Sequence, residues 1–255
     1  MPDQKRVVIT GATGAIGSAL AQHYAQPNTC LLLQGRSQEQ LQRVAERCRQ
    51  QGADVLIYSF DLTDQQALLD WCTTLCCDHV PDILIANAGM NIHAQSATQG
   101  ESWQAQQQLL NLNINSTLLL TNRLAEAMQR RGQGQIVLIS SLAGYFGLPV
   151  TPSYSASKAA IKAYGEGLRG WLAPHGVGVT VVMPGYVASP MCHAMPGPKP
   201  FLWKPEKAAR TIARGVARNQ ARISFPFPLN FGSWWLAVLP ASLSLWILRR
   251  LGYEH

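Results

Sequence analysis

Charge is scarce in this 255-residue chain: Asp, Glu, Lys and Arg together make up 14% of it, against 47% apolar residues. That balance excludes a disordered chain and leaves enough apolar side chains to fill one large core, as a single α/β domain requires. Paired C-x-x-C spacing is missing from the six cysteines, Cys30, Cys48, Cys72, Cys76, Cys77 and Cys192. They read as reduced, mostly buried thiols, and no metal site is expected. Internal repeats and low-complexity linkers are missing too, so nothing divides the chain into modules. No signal peptide is legible, because a strand-like run starts within a few residues of Met1; a cytoplasmic location is expected. Acid is thin in one region above all. Residues 1–198 carry 12 basic and 12 acidic side chains, whereas 199–255 carry 9 and 2, so the whole net charge of +7 sits in the last fifth.

What is present is a rhythm. Strand-like apolar runs recur at 6–10, 30–35, 54–60, 82–86, 135–140, 177–183 and 222–225, with helical patterns in nearly every gap. Such alternation predicts an α/β fold, a Rossmann-type doubly wound parallel sheet of about seven strands with helices on both faces. That domain spans 1–225, and 226–255 forms an apolar C-terminal extension that either joins the same domain or touches a membrane surface. Doubly wound sheets bind ligands beyond the carboxyl ends of their strands. The residues at strand ends therefore carry the functional information.

The first strand-like run leads into "TGATGAIGSAL", where Gly11, Gly14 and Gly17 separate it from a helical pattern. Glycines at a strand-to-helix turn let a backbone approach a ligand closely, and the helix that follows offers N–H groups and a positive dipole end to a phosphate. After the second strand comes Gly35-Arg36-Ser37. An acid here would bind a ribose 2′-hydroxyl, whereas a base accommodates a 2′-phosphate, so Arg36 favours NADP(H) over NAD(H). Asp61-Leu62 follows the third strand; its carboxylate either accepts from an adenine amino group or caps the helix starting near Thr63. Asn87-Ala88-Gly89 ends the fourth strand, where small residues leave room for a cofactor and the Asn amide can bridge two loops.

The chemistry-bearing stretch is "ISSLAGYFGLPVTPSYSASKAA". It places Ser140 and Ser141 at a strand end, Tyr154 thirteen residues past Ser141, and Lys158 four residues further on. Positions i and i+4 share a helix face, so the Lys158 ammonium can sit near the phenol and lower its pKa. Tyr154 could then exchange a proton with an alcohol or carbonyl oxygen held by Ser141.

Together these residues resemble the short-chain dehydrogenase/reductase family over roughly 5–225. Thr10-Gly11-Ala12-Thr13-Gly14-Ala15-Ile16-Gly17 is similar to its cofactor turn, and Asn87-Ala88-Gly89, Ser141, Tyr154, Lys158 and Pro184-Gly185 match its later motifs in order. The resemblance implies Tyr154 as general acid/base, Ser141 as orienter of the substrate oxygen, and Lys158 as the group that lowers the Tyr154 pKa and binds the nicotinamide ribose. It implies Asn113 as holder of a water linking Lys158 to solvent, with Asn111 and Asn115 as nearby competitors. Cofactor contacts are implied at Gly11, Thr13, Ala15, Ile16, Gly17, Arg36, Asp61, Leu62, Asn87, Ala88, Gly89, Pro184, Gly185, Val187 and Ser189, where Ser189 replaces a commoner threonine. A homodimer or homotetramer through the helices around 110–130 and 154–174 is implied as well. The expected activity is interconversion of a carbonyl and a secondary alcohol, with NADPH-linked reduction as the direction. The alternative is a catalytically silent nucleotide-binding regulatory protein of the same fold.

The last fifth points to the substrate. Arg210, Arg214, Arg218 and Arg222 recur every four residues, and residues 223–248 then hold no charge before Arg249 and Arg250. The apolar stretch is long enough to span a bilayer, but Pro226, Pro228, Asn230 and Pro240 break it. Trp234, Trp235 and Trp246 suit either a membrane surface or the lining of a pocket or subunit interface. Both readings put something apolar at the mouth of the site, and the Pro-rich loop 190–205, with Met191, Met195, Phe201, Leu202 and Trp203, is expected to close over it. An apolar, lipid-like carbonyl or alcohol substrate follows; nucleic acid does not, because the arginines flank a water-averse run.

Overall fold

The computed structural model describes residues 4–93 and 100–253. Among them, seven strands form one parallel sheet: β1 (Lys5–Ile9), β2 (Thr29–Gly35), β3 (Asp54–Ser59), β4 (Ile83–Ala86), β5 (Gly134–Ile139), β6 (Val177–Pro184) and β7 (Arg222–Phe225). The spatial order is β3-β2-β1-β4-β5-β6-β7. Connectivity reverses between β1 and β4, and a crevice opens there at the carboxyl ends. Every residue of β2 and β4 is buried, as expected of strands covered on both faces.

The helices are α1 (Ala15–Tyr24), α2 (Gln38–Arg49), α3 (Gln65–Asp78), α4 (Trp103–Leu110), α5 (Thr117–Arg131), α6 (Pro152–Leu172), α7 (Pro190–Ala194), α8 (Pro205–Ala217), α9 (Leu229–Val238) and α10 (Ala241–Arg250). One face of the sheet packs on α1, α2 and α8 through Leu20, Leu41, Val44, Ile212 and Val216. The other packs on α3, α5 and α6 through Leu75, Leu124, Met128, Ile161 and Leu168. Truncating one such fully buried leucine to alanine costs roughly 2–5 kcal/mol. Local chemistry sets the ends: Pro152 fits the first turn of α6, and Gly132, at φ 74°, closes α5 in the left-handed region.

The seven expected strands all appear, within a residue or two of their expected limits. Two finer readings are corrected, and the C-terminal stretch breaks at a proline as expected. The cap of α3 is Asp64, whose Oδ1 accepts from Gln66 N and Ala67 N at 3.1 Å each; Asp61 closes the preceding turn instead. Loop 190–205 contains the short helix α7, because Ser189 Oγ accepts from Cys192 N at 3.0 Å and Pro190 suits a first helical position. The uncharged C-terminal stretch folds into two ten-residue helices turning at Pro240, and among the described residues no helix is long and apolar enough to cross a membrane.

Candidate active site

A cavity of about 640 Å³ occupies the crevice at the carboxyl ends of the strands. Of the site residues named from sequence, all but Gly17 and Asn113 line it. It runs from the β1–α1 turn, past Arg36 and Asp61, to Ser141, Tyr154 and Lys158, and ends against α7, α9 and α10.

The turn end is fastened by hydrogen bonds from three side chains. Thr10 Oγ1 accepts from Asn87 N at 3.0 Å and Ala88 N at 3.1 Å. Asn87 Nδ2 donates back to Thr10 O and Gly11 O at 3.0 and 3.1 Å, bridging the ends of β1 and β4. Gln34, buried in β2, donates to Phe60 O at 2.8 Å and receives the Gly11 N–H at 3.4 Å. The glycines divide their work. Gly11 has φ +60° and its Cβ would lie 2.9 Å from Ala88 Cα, while a Cβ at Gly17 would strike Gly11 O. These two serve close internal packing, which is why Gly17 lies behind the cavity wall. Gly14 faces the cavity as the N-cap of α1, with no side-chain cap and no acid in the first turn. By contrast α2 and α3, starting from the same edge of the sheet, are capped by Ser37 and Asp64. The uncapped N–H groups and dipole end of α1 fit a pyrophosphate.

Arg36 and Asp61 stand side by side beyond β2 and β3. Burial alone would raise the Asp61 carboxyl, but hydrogen bonds from Thr63 N and Oγ1, at 2.9 and 2.8 Å, and the Arg36 charge outweigh it and hold the pKa below the ordinary value. The pair offers one cation and one acceptor, as an adenosine with a 2′-phosphate needs.

At the chemical end Lys158 is buried, and its Nζ donates to Ile139 O at 3.0 Å. Loss of water pushes this ammonium down to about 8. Its Nζ lies 5.6 Å from the centre of the Tyr154 ring. The expected lowering of the phenol is not what this geometry yields: burial pushes Tyr154 up, and a hydrogen bond with Ser141 offsets it only in part. The ammonium faces the Ile139 carbonyl, and the phenol stays protonated at neutral pH. Ser140 Oγ donates to Lys158 O at 2.7 Å and so ties β5 to α6, leaving Ser141 as the hydroxyl beside Tyr154.

Asn113 sits in a π-helical turn, Asn111–Ser116, between α4 and α5. It is the buried member of its trio, with Asn111 and Asn115 exposed and bonded to each other. Its Oδ1 accepts from Met90 N at 2.8 Å, and its Nδ2 donates to Met90 O at 2.9 Å and Ser157 Oγ at 3.0 Å. A Cβ on Gly89 would lie 3.2 Å from Asn113 Oδ1 and 3.3 Å from Lys158 Nζ. Asn113 therefore backs the lysine rather than facing the cavity. Val187 pairs with Trp203 in a single bridge, which positions Ser189 at the cavity edge.

The far wall is largely apolar: Leu142, Met191, Met195, Leu229, Leu236, Ile247 and Leu248 line it, with Ser233 and the hydroxyls of Tyr186 and Tyr253 as its polar groups. Of the loop residues expected over the substrate, Met191 and Met195 do so. Phe201 and Leu202 point to solvent, and Trp203 stacks on Phe225 with ring centres 4.7 Å apart. Sequence reasoning missed Gln34, Ser157, Tyr186 and Tyr253 as parts of the site, and gave Thr10 only as a member of the cofactor turn, without its role in tying β1 to β4. A polar residue inside "CLLLQG" was a usable signal for Gln34; Tyr186 and Tyr253 had none.

A family model described as short chain dehydrogenase matches residues 5–197. An uncharacterized oxidoreductase of Myxococcus xanthus (strain DK1622) is 30% identical over 97% of both chains. The 11-beta-hydroxysteroid dehydrogenase A of Sesamum indicum is 30% identical over 96% of this chain and 74% of its own. Among solved structures, a short-chain dehydrogenase from Sphingobium yanoikuyae in complex with NADPH superposes with a TM-score of 0.82 at 26% identity, covering 95% of each chain.

Proposed function

This chain belongs to the short-chain dehydrogenase/reductase family of NAD(P)-dependent oxidoreductases of alcohol and carbonyl groups, and we propose that it reduces a bulky apolar ketone with NADPH. The observation that carries this reading is the join within one cavity. Ser141 and Tyr154 stand between an uncapped helix N-terminus and a wall of leucine, isoleucine and methionine.

The residues divide the reaction as follows. The N–H groups at the start of α1 hold the pyrophosphate, Arg36 takes the 2′-phosphate, and Asp61 accepts from the adenine amino group. When bound, the nicotinamide dinucleotide supplies the hydride. Ser141 donates a hydrogen bond to the substrate oxygen and orients the carbonyl. Tyr154 donates its phenolic proton to that oxygen as negative charge develops there; a phenol raised by burial is present in the acid form this step needs. Lys158, whose burial brings its pKa to about 8, holds the ribose hydroxyls. Asn113 fixes the segment around Met90 behind it, and Val187 and Ser189 hold the carboxamide. The name of the Sesamum indicum relative, a hydroxysteroid dehydrogenase, agrees with an apolar substrate. A catalytically silent nucleotide-binding regulator is not favoured, because it has no use for this constellation.

We propose self-association through the outer surfaces of α5 and α6, as is common in the family; Trp171 on α6 is half exposed. The activity test is NADPH oxidation with two ketones sharing one head group, one with a short soluble chain and one with a long chain, using Tyr154→Phe as the blank. A rate that rises with chain length is expected. No rate above the blank with either ketone would overturn the reading.

A further inference from the structure

The C-terminal hairpin is apolar on two opposite sides. Inward, Leu229, Leu236, Ile247 and Leu248 line the cavity. Outward, Phe231, Trp234, Trp235, Val238, Leu245 and Trp246 are 39–54% exposed. Phe231, Trp234 and Trp235 form one cluster, with ring centres 5.2–6.1 Å apart. A helix pair apolar on both sides needs two apolar partners. The cavity is the first, and the outer face meets none among the described residues. The hairpin's charges are all of one sign: α9 and α10 hold no acid, and α10 ends in Arg249 and Arg250, with the Arg250 guanidinium 5.4 Å from the centre of the exposed Trp246 ring.

We infer that this outer face docks on an anionic lipid surface, with α9 and α10 lying in the plane of the headgroups. Docking itself needs no catalysis; that the substrate reaches the cavity from the lipid rests on the apolar-ketone reading above. Three observations select lipid over a second copy of the chain. A two-fold contact sets a patch against itself, so the arginines of a patch without acid would find no counter-charge on the facing copy. Tryptophan and arginine side by side suit the headgroup layer, where the ring sits at the interface and the cation meets phosphate. Helices of ten residues, about 15 Å long, are too short to cross a bilayer but can lie on one. The tyrosine pair that anchors the hairpin keeps its inner side on the cavity while the outer side is in lipid: Tyr186 Oη donates to Tyr253 Oη at 2.9 Å, and Tyr253 Oη donates to Pro198 O at 3.2 Å.

The test is flotation of the full chain with phosphatidylcholine vesicles, with and without phosphatidylglycerol, in the absence of substrate. The wild type is expected to float with the anionic vesicles and to be released by salt. Combining Trp234→Ser, Trp235→Ser and Trp246→Ser is expected to cut the bound fraction roughly tenfold or more. That variant should keep its size in solution and its turnover of the short soluble ketone, since none of the three side chains lines the cavity. Arg249→Gln with Arg250→Gln should remove the preference for phosphatidylglycerol while leaving a weaker, salt-insensitive association. Failure of the wild type to float, or equal flotation of the triple variant, would overturn the proposal. So would conversion of an oligomer to a smaller species by the triple variant, which would assign the face to a second copy. Flotation without ketone turnover would leave the docking surface standing and sink the reductase reading; turnover without flotation would do the reverse.

Discussion

At the turn end of the cavity, Thr10, Gln34 and Asn87 fasten β1, β2 and β4 with side-chain hydrogen bonds, and a single Cβ at Gly11 or Gly17 would collide with backbone. At the opposite end, α9 and α10 are joined to each other by Ser244 Oγ donating to Leu236 O at 2.8 Å and to the domain by the tyrosine pair and Asn230 Nδ2 donating to Ser224 O at 3.0 Å; the rest of the wall is mostly leucine, isoleucine and methionine, with Ser233 and Cys192 among them. The first end depends on particular atoms, because hydrogen bonds are directional and a buried polar atom left alone is costly. The second depends on apolar area, which is non-directional and tolerates exchange among side chains of similar volume. On the proposed function, one end specifies the cofactor and its chemistry, and the other the size and polarity of what it meets.

The widest contrast is expected between Tyr154→Phe and Leu236→Ala. Removing a positioned general acid costs about 10²–10⁴ in turnover. Tyr154→Phe should therefore lose that much kcat while binding NADPH within about twofold of wild type by fluorescence titration, since a ring remains in the wall. Leu236→Ala removes only apolar contact, worth about 1–3 kcal/mol per group, and should raise KM for the long ketone more than it lowers kcat. Equal loss of kcat in both variants would erase the distinction between the two ends.

Next in size is the cost of burying Lys158. Its folded pKa of about 8 lies below the unfolded lysine value, so between roughly pH 8 and 10.4 the unfolded chain binds more protons than the folded one. Stability contributed by this residue must therefore rise with pH across that window, by roughly 3 kcal/mol in all. The difference in unfolding free energy between wild type and Lys158→Met, followed by denaturant titration, isolates this effect from the buried cysteines and tyrosines, which titrate in both. A flat difference would mean that the ammonium is not desolvated.

The same contrast explains what was legible in the residues alone. Alternating apolar runs predict seven strands because burial on both faces leaves near-continuous apolar stretches. The glycine turn, Ser141, Tyr154 and Lys158 are legible as a group because their spacings are short, and the structure brings them to one cavity. What escaped was long-range. Gln34 reaches the Gly11 N–H across 23 positions and Tyr186 meets Tyr253 across 67; no local period marks such pairs. The phenol's upward shift escaped for the same reason, since spacing places an ammonium near Tyr154 but is blind to the burial that outweighs it. The C-terminal stretch was readable as apolar, yet its division into an inner and an outer face depends on packing against Gly185, where a Cβ would lie 2.9 Å from Pro226 Cδ and 3.0 Å from Leu229 Cδ2.

A smaller effect is expected at Arg36. Charge-assisted hydrogen bonds are worth about 1.5–3 kcal/mol, so Arg36→Ala should weaken NADPH binding by about ten- to a hundredfold and leave NADH nearly unchanged, read by titrating each dinucleotide. Parallel weakening of both would remove the residue from cofactor choice and make it part of the turn's scaffold, with Asp61 as its partner.

The smallest effect tests whether the far wall moves on its own. Tyr253 is buried to 7% exposure, and its ring packs where α10 ends, so Tyr253→Phe keeps the filling and removes only the hydroxyl. That hydroxyl donates to Pro198 O and accepts from Tyr186 Oη, and losing it leaves a donor and an acceptor to be resatisfied by water, at about 1 kcal/mol. Because little else polar joins the hairpin to the domain, that energy should appear as faster hydrogen exchange in α9 and α10, about fivefold, with α1 and α5 unchanged. The outcome that breaks the comparison is equal acceleration in all four helices. The wall would then unfold only with the whole domain, and the hairpin would not be an element that opens by itself.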